Sequence, residues 1–431
     1  MTRSTVLRSA VVLSVASIAL AACGGSSSGG SSSSAPASSS APASSSAPAA
    51  SPLIVGTLLP QTGSLAFLGP PEFAGVNAAL ADINAAGGVL GQPVQKVEGD
   101  SGDTSTNIAT QTVDSELQKG VSAIIGAASS SVTLSIIDKT TAAGVVVFSP
   151  ANTSIKLSDP AITKGLYFRT APPDTFQGAV LAALAQKDGA KNVAILALTD
   201  AYGTGLADAF TKNFEASGGK VAIRIDYDPK AASYTADVTK VKAANPDALV
   251  LIGFDESKKI IQELQAQGIG PQKLKLFLCD GQMGNALAEG LPAGLMNGVK
   301  GTIPGVQASE KFQAQMLATD PKLTDYSYGP EAYDAMTIIA LAAEAAQSTK
   351  GADIAAKIPT VTAQGNDACS NYAECLALLK AGKAISYVGP SGATGIKANG
   401  DPSYATMTIW QFGPDNKISP VDSIAADVPA A

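Results

Sequence analysis

Residues 120–154 read GVSAIIGAASSSVTLSIIDKTTAAGVVVFSPANTS, and the reading of this stretch decides the fold. Val121 to Ile125 is an apolar run closed by Gly126, the pattern of a strand buried on both faces. Ser129, Ser130 and Ser131 follow. From Val132 to Ala143 the apolar residues Val132, Ile136 and Ile137 recur at helical spacing. Val145 to Phe148 is a second apolar run, ended by Ser149-Pro150-Ala151-Asn152-Thr153. Strand, polar turn, helix, strand, polar turn puts both turns at the carboxyl ends of neighbouring parallel strands, where open α/β sheets seat ligands. Hydroxyls beside the free N–H groups of a helix start can hold a small anion such as a carboxylate. The same serines also read as plain helix caps.

The alternation continues outward in both directions. Upstream lie a strand over Leu53 to Leu59 and a Gly/Pro-rich loop to Pro70. A helix follows with Phe73, Val76, Leu80 and Ile83 on one face and Gly87-Gly88 after it. A strand over Val94 to Glu98 and a helix near Thr106 to Lys119 complete this series. Downstream a second series begins with a strand over Val193 to Leu198 and Asp200-Ala201-Tyr202-Gly203. Strands over Val221 to Tyr227, Ala248 to Ile252 and Leu274 to Leu278 alternate with helices near Ala236 to Ala243 and Ser257 to Gln267. The expected class is α/β, with two doubly wound parallel-sheet domains. Arg169 to Pro173 and Val299 to Pro304 are the expected crossovers between them.

Composition narrows the chemistry. The chain has 431 residues, enough for two domains, and only 15% of them are charged. A net charge of −7 leaves no basic footprint for nucleic acid. There is no histidine, which removes a Ser-His-Asp triad, a Cys-His pair and any His-ligated metal site. No Gly-rich loop ends in Gly-Lys-Ser/Thr, so no phosphate-binding loop is present. Ser217-Gly218-Gly219-Lys220 has S-x-x-K spacing but reads as a helix C-cap turn. A binding protein without catalytic residues, cofactor or metal is expected.

The first residues carry Arg3 and Arg8, then the apolar run Ala10 to Leu20. This is a secretory signal pattern, too short to span a membrane as a helix. Leu20-Ala21-Ala22-Cys23 resembles the bacterial lipobox, which implies a lipidated Cys23 after a signal peptide at 1–22. The alternative is an ordinary signal peptide with an incidental cysteine. Residues 23–52 are almost wholly Ser, Ala, Gly and Pro, the composition of a disordered linker with a span of roughly 30 Å. A formal G-x-S-x-G match at Gly25, Ser27 and Gly29 has neither strand nor helix around it. In an exported chain, Cys369 and Cys375 favour a disulfide with each other, and Cys279 remains as a buried small residue.

Further segments repeat a known order: Val55-Gly56-Thr57-Leu58-Leu59-Pro60-Gln61-Thr62-Gly63, Tyr167-Phe168-Arg169-Thr170, Tyr202-Gly203, Tyr387-Val388-Gly389-Pro390-Ser391-Gly392 and Asn399-Gly400-Asp401-Pro402. With the central stretch they resemble, from about Leu53 to Phe412, the type I periplasmic binding proteins. The leucine/isoleucine/valine-binding branch that serves ABC importers is the nearest group. The resemblance implies two lobes joined by a three-strand hinge, residues 53–169 with 304–350 and residues 170–303 with 351–431. It implies that Ser130 and Thr153 hold a ligand carboxylate, that Ala151 offers backbone groups and that Leu68 covers the ligand. From the second lobe, Tyr202 would close over the ligand and Phe254 stands where the family often has tyrosine.

Asp280 would pair the ligand's ammonium group, although the family's acid aligns one residue later, at Gly281. Asp255 and Glu256 are the alternatives. The implied protein is a monomeric, lipid-anchored extracytoplasmic receptor for a small amino acid, handing it to an ABC permease in the membrane. Without an acid in the cleft, an amide, urea-like compound or simple carboxylate would fit better. A sensor domain with the same fold is the other class of reading.

Overall fold

The computed structural model describes residues 51–430. The signal segment, Cys23 and nearly all of the Ser/Ala/Pro tract lie outside the described residues. The first sheet collects β1 (Ile54–Leu59), β2 (Gln95–Asp100), β3 (Ala123–Gly126), β4 (Val146–Ser149) and β5 (Tyr167–Arg169). Its order is β2-β1-β3-β4-β5, every pair parallel. The crossover helices are α1 (Gly69–Ala85), α2 (Ile108–Gln118) and α3 (Ser130–Ala142), with the single turn α4 (Pro160–Thr163) before β5.

Local chemistry explains these limits. Pro70 and Pro71 sit in the first turn of α1, where missing N–H groups cost nothing. The side chain of Ser129 caps α3 by accepting from the Val132 N–H. Gly126 closes β3 at φ 130°, and a Cβ there would run into the Leu58 carbonyl of β1. The turn that carries the three serines can therefore leave the sheet tightly against its neighbour.

The second sheet holds β6 (Asn192–Leu198), β7 (Lys220–Tyr227), β8 (Ala248–Ile252), β9 (Lys275–Leu278) and β10 (Lys300–Pro304). Around it lie α5 (Asp174–Lys187), α6 (Ala201–Ala216), α7 (Thr235–Ala244), α8 (Ser257–Ala266) and the short α9 (Asn285–Ala288). After β10 the chain returns to the first sheet with α10 (Glu310–Thr319) and α11 (Gly329–Ala346). It stays there through α12 (Gly351–Val361), β11 (Asp367–Cys369), α13 (Tyr372–Lys380) and β12 (Ile385–Tyr387). Finally β13 (Tyr404–Phe412) and β14 (Ile418–Asp427) join the second sheet, whose order is β14-β13-β10-β9-β8-β6-β7.

Two expectations are corrected here. Residues 351–402 do not go with the second lobe. Ile354, Ile358 and Val361 of α12 bury in the first lobe's core with Cys369, Tyr372, Cys375 and Tyr387. The reason is α11, which is buried along almost its whole length and needs cover on more than one side. The second sheet is also not wholly parallel, because β13 pairs antiparallel with β10 and β14 antiparallel with β13. An antiparallel edge on a parallel sheet is common in such folds.

The chain crosses between the sheets three times: after β5, after β10, and before β13. β10 itself belongs to the second sheet, so the second crossing begins at Gly305 rather than within Val299 to Pro304. The crossings are tied together. The Arg169 N–H donates to the Gly400 carbonyl, and the Gly305 N–H donates to the Thr406 carbonyl. Cys369 and Cys375 are joined as a disulfide between β11 and α13, and Cys279 is free and buried. Among the described residues no helix is long and apolar enough to cross a membrane.

Candidate functional site

The turns after β3 and β4 meet the turns after β6, β8 and β9 across the cleft between the lobes. They enclose a cavity lined by all seven residues singled out in the sequence: Leu68, Ser130, Ala151, Thr153, Tyr202, Phe254 and Asp280. Its volume is about 20 Å³, room for roughly one water molecule. A ligand of amino-acid size enters only if the lobes or these side chains move apart.

The first lobe supplies the hydroxyl wall. Ser130 is the first residue of α3, and its Oγ accepts from the Ser154 N–H at 3.2 Å, which leaves its proton free to donate. Thr153 stands opposite, in the turn after β4. That turn is fixed from below by Arg169. The Nη1 of Arg169 donates to the carbonyls of Asn152 (3.2 Å) and Ser154 (3.0 Å), the two neighbours of Thr153. Its remaining donors go to Ser158 Oγ and to Asp401. The Ala151 N–H is already used, donating to Ser149 Oγ at 3.2 Å. Only its carbonyl is left to serve a ligand.

The second lobe supplies an acid and an aromatic platform. Asp280 Oδ1 accepts from Tyr202 Oη (2.8 Å) and from Gln177 Nε2 (2.8 Å). Its Oδ2 accepts from Tyr328 Oη at 2.6 Å. Burial raises the Asp280 carboxyl above the ordinary carboxylate range, and the bonds from Tyr328, Tyr202 and Gln177 work against that rise. Tyr202 and Phe254 stack with centroids 5.7 Å apart and planes 6° from parallel. Asp174, at the start of α5, is fully buried beside Asp280. Burial first, and then Asp280, push its carboxyl well above the usual range.

The alternative acids do not reach the cavity. Glu256 Oε1 is turned away to the Tyr227 hydroxyl (2.6 Å) and the Phe254 N–H (2.9 Å). Asp255 lies in a separate surface groove with Phe67 and Lys258. Gly281 does line the cavity, but offers backbone only.

A family model described as periplasmic binding protein matches residues 52–412, most of the chain. The chain belongs to the type I periplasmic binding proteins. This binding protein is 29% identical over 286 residues to Leu/Ile/Val-binding protein homolog 2 of Brucella abortus, covering 65% of this chain and 74% of that one. Its fold matches the branched-chain amino acid transporter substrate-binding protein LivJ of Streptococcus pneumoniae, solved with isoleucine. The TM-score is 0.69 at 22% identity, over 88% of this chain and 100% of that one. It matches equally a solute-binding protein of an ABC transporter from Rhodopseudomonas palustris, solved with p-hydroxybenzoic acid. There the TM-score is 0.70 at 16% identity, over 88% of this chain and 98% of that one. The family is one of solute receptors, placed outside the cytoplasm.

In this periplasmic binding protein the cavity is also built by residues that the sequence did not single out. Tyr328 closes the cavity from the first lobe, and Gln177 supports Asp280 from α5. Leu65 and Ala128 complete the lining together with Ser129, one of the three serines read from the sequence. Tyr328 sits at φ 59°, rare for a bulky residue, immediately before the Gly329-Pro330 start of α11. An aromatic before Gly-Pro was the available signal, but nothing local tied it to a site 48 residues away.

Proposed function

We propose that this chain is the lipid-anchored receptor of an ABC importer, binding a small amino acid of branched-chain type by closure of its two lobes. One observation carries the reading. The cavity opposes two hydroxyls, Ser130 at the start of α3 and Thr153 in the turn after β4, to a buried acid, Asp280. That polarity matches the two charged groups of an α-amino acid, carboxylate to the first lobe and ammonium to the second. Leu68, Ala151 and the Tyr202–Phe254 pair offer apolar cover for a short side chain. The Brucella relative's name and the isoleucine in the LivJ complex support the same class.

A second reading is a simple carboxylate. Asp280 already holds three hydrogen bonds from this chain, and the R. palustris neighbour was solved with p-hydroxybenzoic acid. Thermal-shift and equilibrium-dialysis measurements with leucine, isoleucine, valine and p-hydroxybenzoate separate the two. An amino acid should raise the melting temperature, be recovered unchanged, and lose affinity in Asp280→Asn. Binding of p-hydroxybenzoate alone overturns the amino-acid reading in favour of the second. For the anchor, Cys23→Ser should move the protein from the membrane to the soluble fraction, and unchanged membrane retention would remove that part of the proposal.

A further inference from the structure

Between β1 and α1 the chain runs as a loop, residues 60–68, ending in one turn of 3₁₀ helix at Ala66–Leu68. Its ends are close together, since a Cβ on Gly69 would strike the Pro60 carbonyl. Leu65 and Leu68 of this loop line the small cavity. Phe67 lines the neighbouring surface groove with Phe254 and Lys258 of the second lobe. All three side chains pack with the second lobe's core cluster. The loop thus starts from the first lobe and reaches across the cleft with its apolar side chains.

The internal bonds of the loop lie in its second half. The Ala66 N–H donates to the Gly63 carbonyl (3.1 Å), and the Leu68 N–H to the Leu65 carbonyl (2.9 Å). The first half is held from outside, by one carboxylate at the end of β2 and another just beyond it. Asp100 Oδ1 accepts from the Gln61 N–H (2.9 Å) and the Thr62 N–H (3.2 Å), and Oδ2 from the Thr62 hydroxyl (2.5 Å). Asp103 Oδ2 accepts from the Ser64 N–H at 3.3 Å. Both acids are fixed on their own side, Asp100 by the Gly102 N–H (2.8 Å) and Asp103 by the Ser105 N–H (2.8 Å). Gly63 passes between the clamped residues at φ 90°, and a Cβ there would come within 2.8 Å of Asp103 Oδ2. Burial pulls the Asp100 carboxyl up, but the bonds from Thr62, Gly102 and Gln61 outweigh it and hold it below the ordinary carboxylate range. A loop of this length left free would lose conformational freedom on covering a ligand, and that loss would weaken binding.

We propose that Asp100 and Asp103 are positioning residues for the cleft, setting Leu65 and Leu68 in place before a ligand arrives. Neither acid is on the cavity lining. The inference rests on the reading of the cleft as the solute site.

Asp100→Ala removes the clamp on Gln61 and Thr62, whereas Asp100→Asn keeps one acceptor oxygen in the same shape. Hydrogen exchange of the unliganded proteins, followed by mass spectrometry over residues 60–68, reads the clamp without any ligand. Asp100→Ala should exchange there roughly 10-fold or more faster, with β1 and β3 unchanged, and Asp100→Asn should fall between. Binding is then measured with isoleucine and with p-hydroxybenzoate, so that either reading of the cleft supplies a probe. Affinity should fall roughly 10-fold or more in Asp100→Ala, through faster dissociation rather than slower association. Asp100→Asn should recover part of it. If Asp100→Ala does not fold, Asp103→Ala replaces it, with the Ser64 amide as the reporter. Unchanged exchange over 60–68 overturns the clamp, and so does faster exchange spread through the whole first sheet. Faster exchange confined to the loop, with wild-type affinity and dissociation rate, overturns its link to the ligand. A wild type that binds neither compound overturns the reading of the cleft, and this inference with it.

Discussion

Arg169 commits all of its guanidinium to the turn that carries Thr153 and to the third crossing of the chain. It is fully buried and paired with Asp401, itself 3% exposed, so neither charge has water to fall back on. Removing one partner of such a pair strands the other, at a cost of about 3–5 kcal/mol. Arg169→Met should lower the stability to urea by that amount. A loss below about 1 kcal/mol would mean that the pair is not held as described. Thr153→Val is the complementary change, because it keeps the shape and removes only a hydroxyl. A hydrogen bond to a charged group contributes about 1.5–3 kcal/mol, so binding of the cognate acid should weaken by roughly 10- to 150-fold. The corresponding ligand amide should be less affected. Wild-type affinity in Thr153→Val would place the carboxylate elsewhere. At this scale the seven cavity residues came from the family resemblance, which could place them because each stands in or near a turn that aligns, and the fold gathers them around one cavity. Tyr328 and Gln177 were not legible, because their roles exist only once distant turns are folded onto Asp280.

Among the elements, α2 carries an unusual buried acid. Glu116 is 1% exposed and faces Gly56 of β1 and Gly99 of β2, the two glycines that leave room for its carboxyl. Burial pushes that carboxyl up to about 8, against smaller opposing effects of the Thr57 backbone and Lys119. The folded state thus keeps a proton that the unfolded chain has already released. The stability this contributes is complete below about pH 4.5 and is lost as the pH rises through about 8. Glu116→Gln should flatten the fall in unfolding free energy between these limits, by up to about 5 kcal/mol. Denaturation at a series of pH values measures it, and identical slopes in both proteins would refute the assignment. Most elements were readable from period and punctuation, as in the Pro-started α1 and the β3–α3–β4 unit. The last quarter of the chain was not. The apolar stripe of α12 shows that it packs somewhere, and only α11, which needs cover on more than one side, determines where. The β13–β14 hairpin was missed because no compact Asn-Gly turn marks it.

At the scale of the whole molecule, the proposed closure would have to bend the three crossings, and a few polar contacts hold the two lobes together as they stand. Ser131 Oγ donates to Asp200 Oδ2 at 3.2 Å and accepts from the Ala201 N–H at 3.1 Å. Ser154 Oγ donates to the Ala201 carbonyl at 2.9 Å, and Tyr328 reaches Asp280 at 2.6 Å. All of these join the first lobe to the second around the rim of the small cavity. Ser131 is the cleanest place to intervene, because it is absent from the cavity lining and Asp200 keeps its own cap on α6 through Tyr202 and Gly203. Ser131→Ala removes one bond to a carboxylate and one between neutral groups, together about 2–4.5 kcal/mol of preference for the proposed closed arrangement. If closure and binding are linked as proposed, the cognate ligand should bind about 30- to 2000-fold more weakly, with no loss of carboxylate selectivity. Small-angle X-ray scattering supplies the second readout. Without ligand the variant should show a larger radius of gyration than the wild type, and at saturating ligand the two should coincide. A variant with the wild type's affinity and radius under both conditions would show that these contacts do not govern closure.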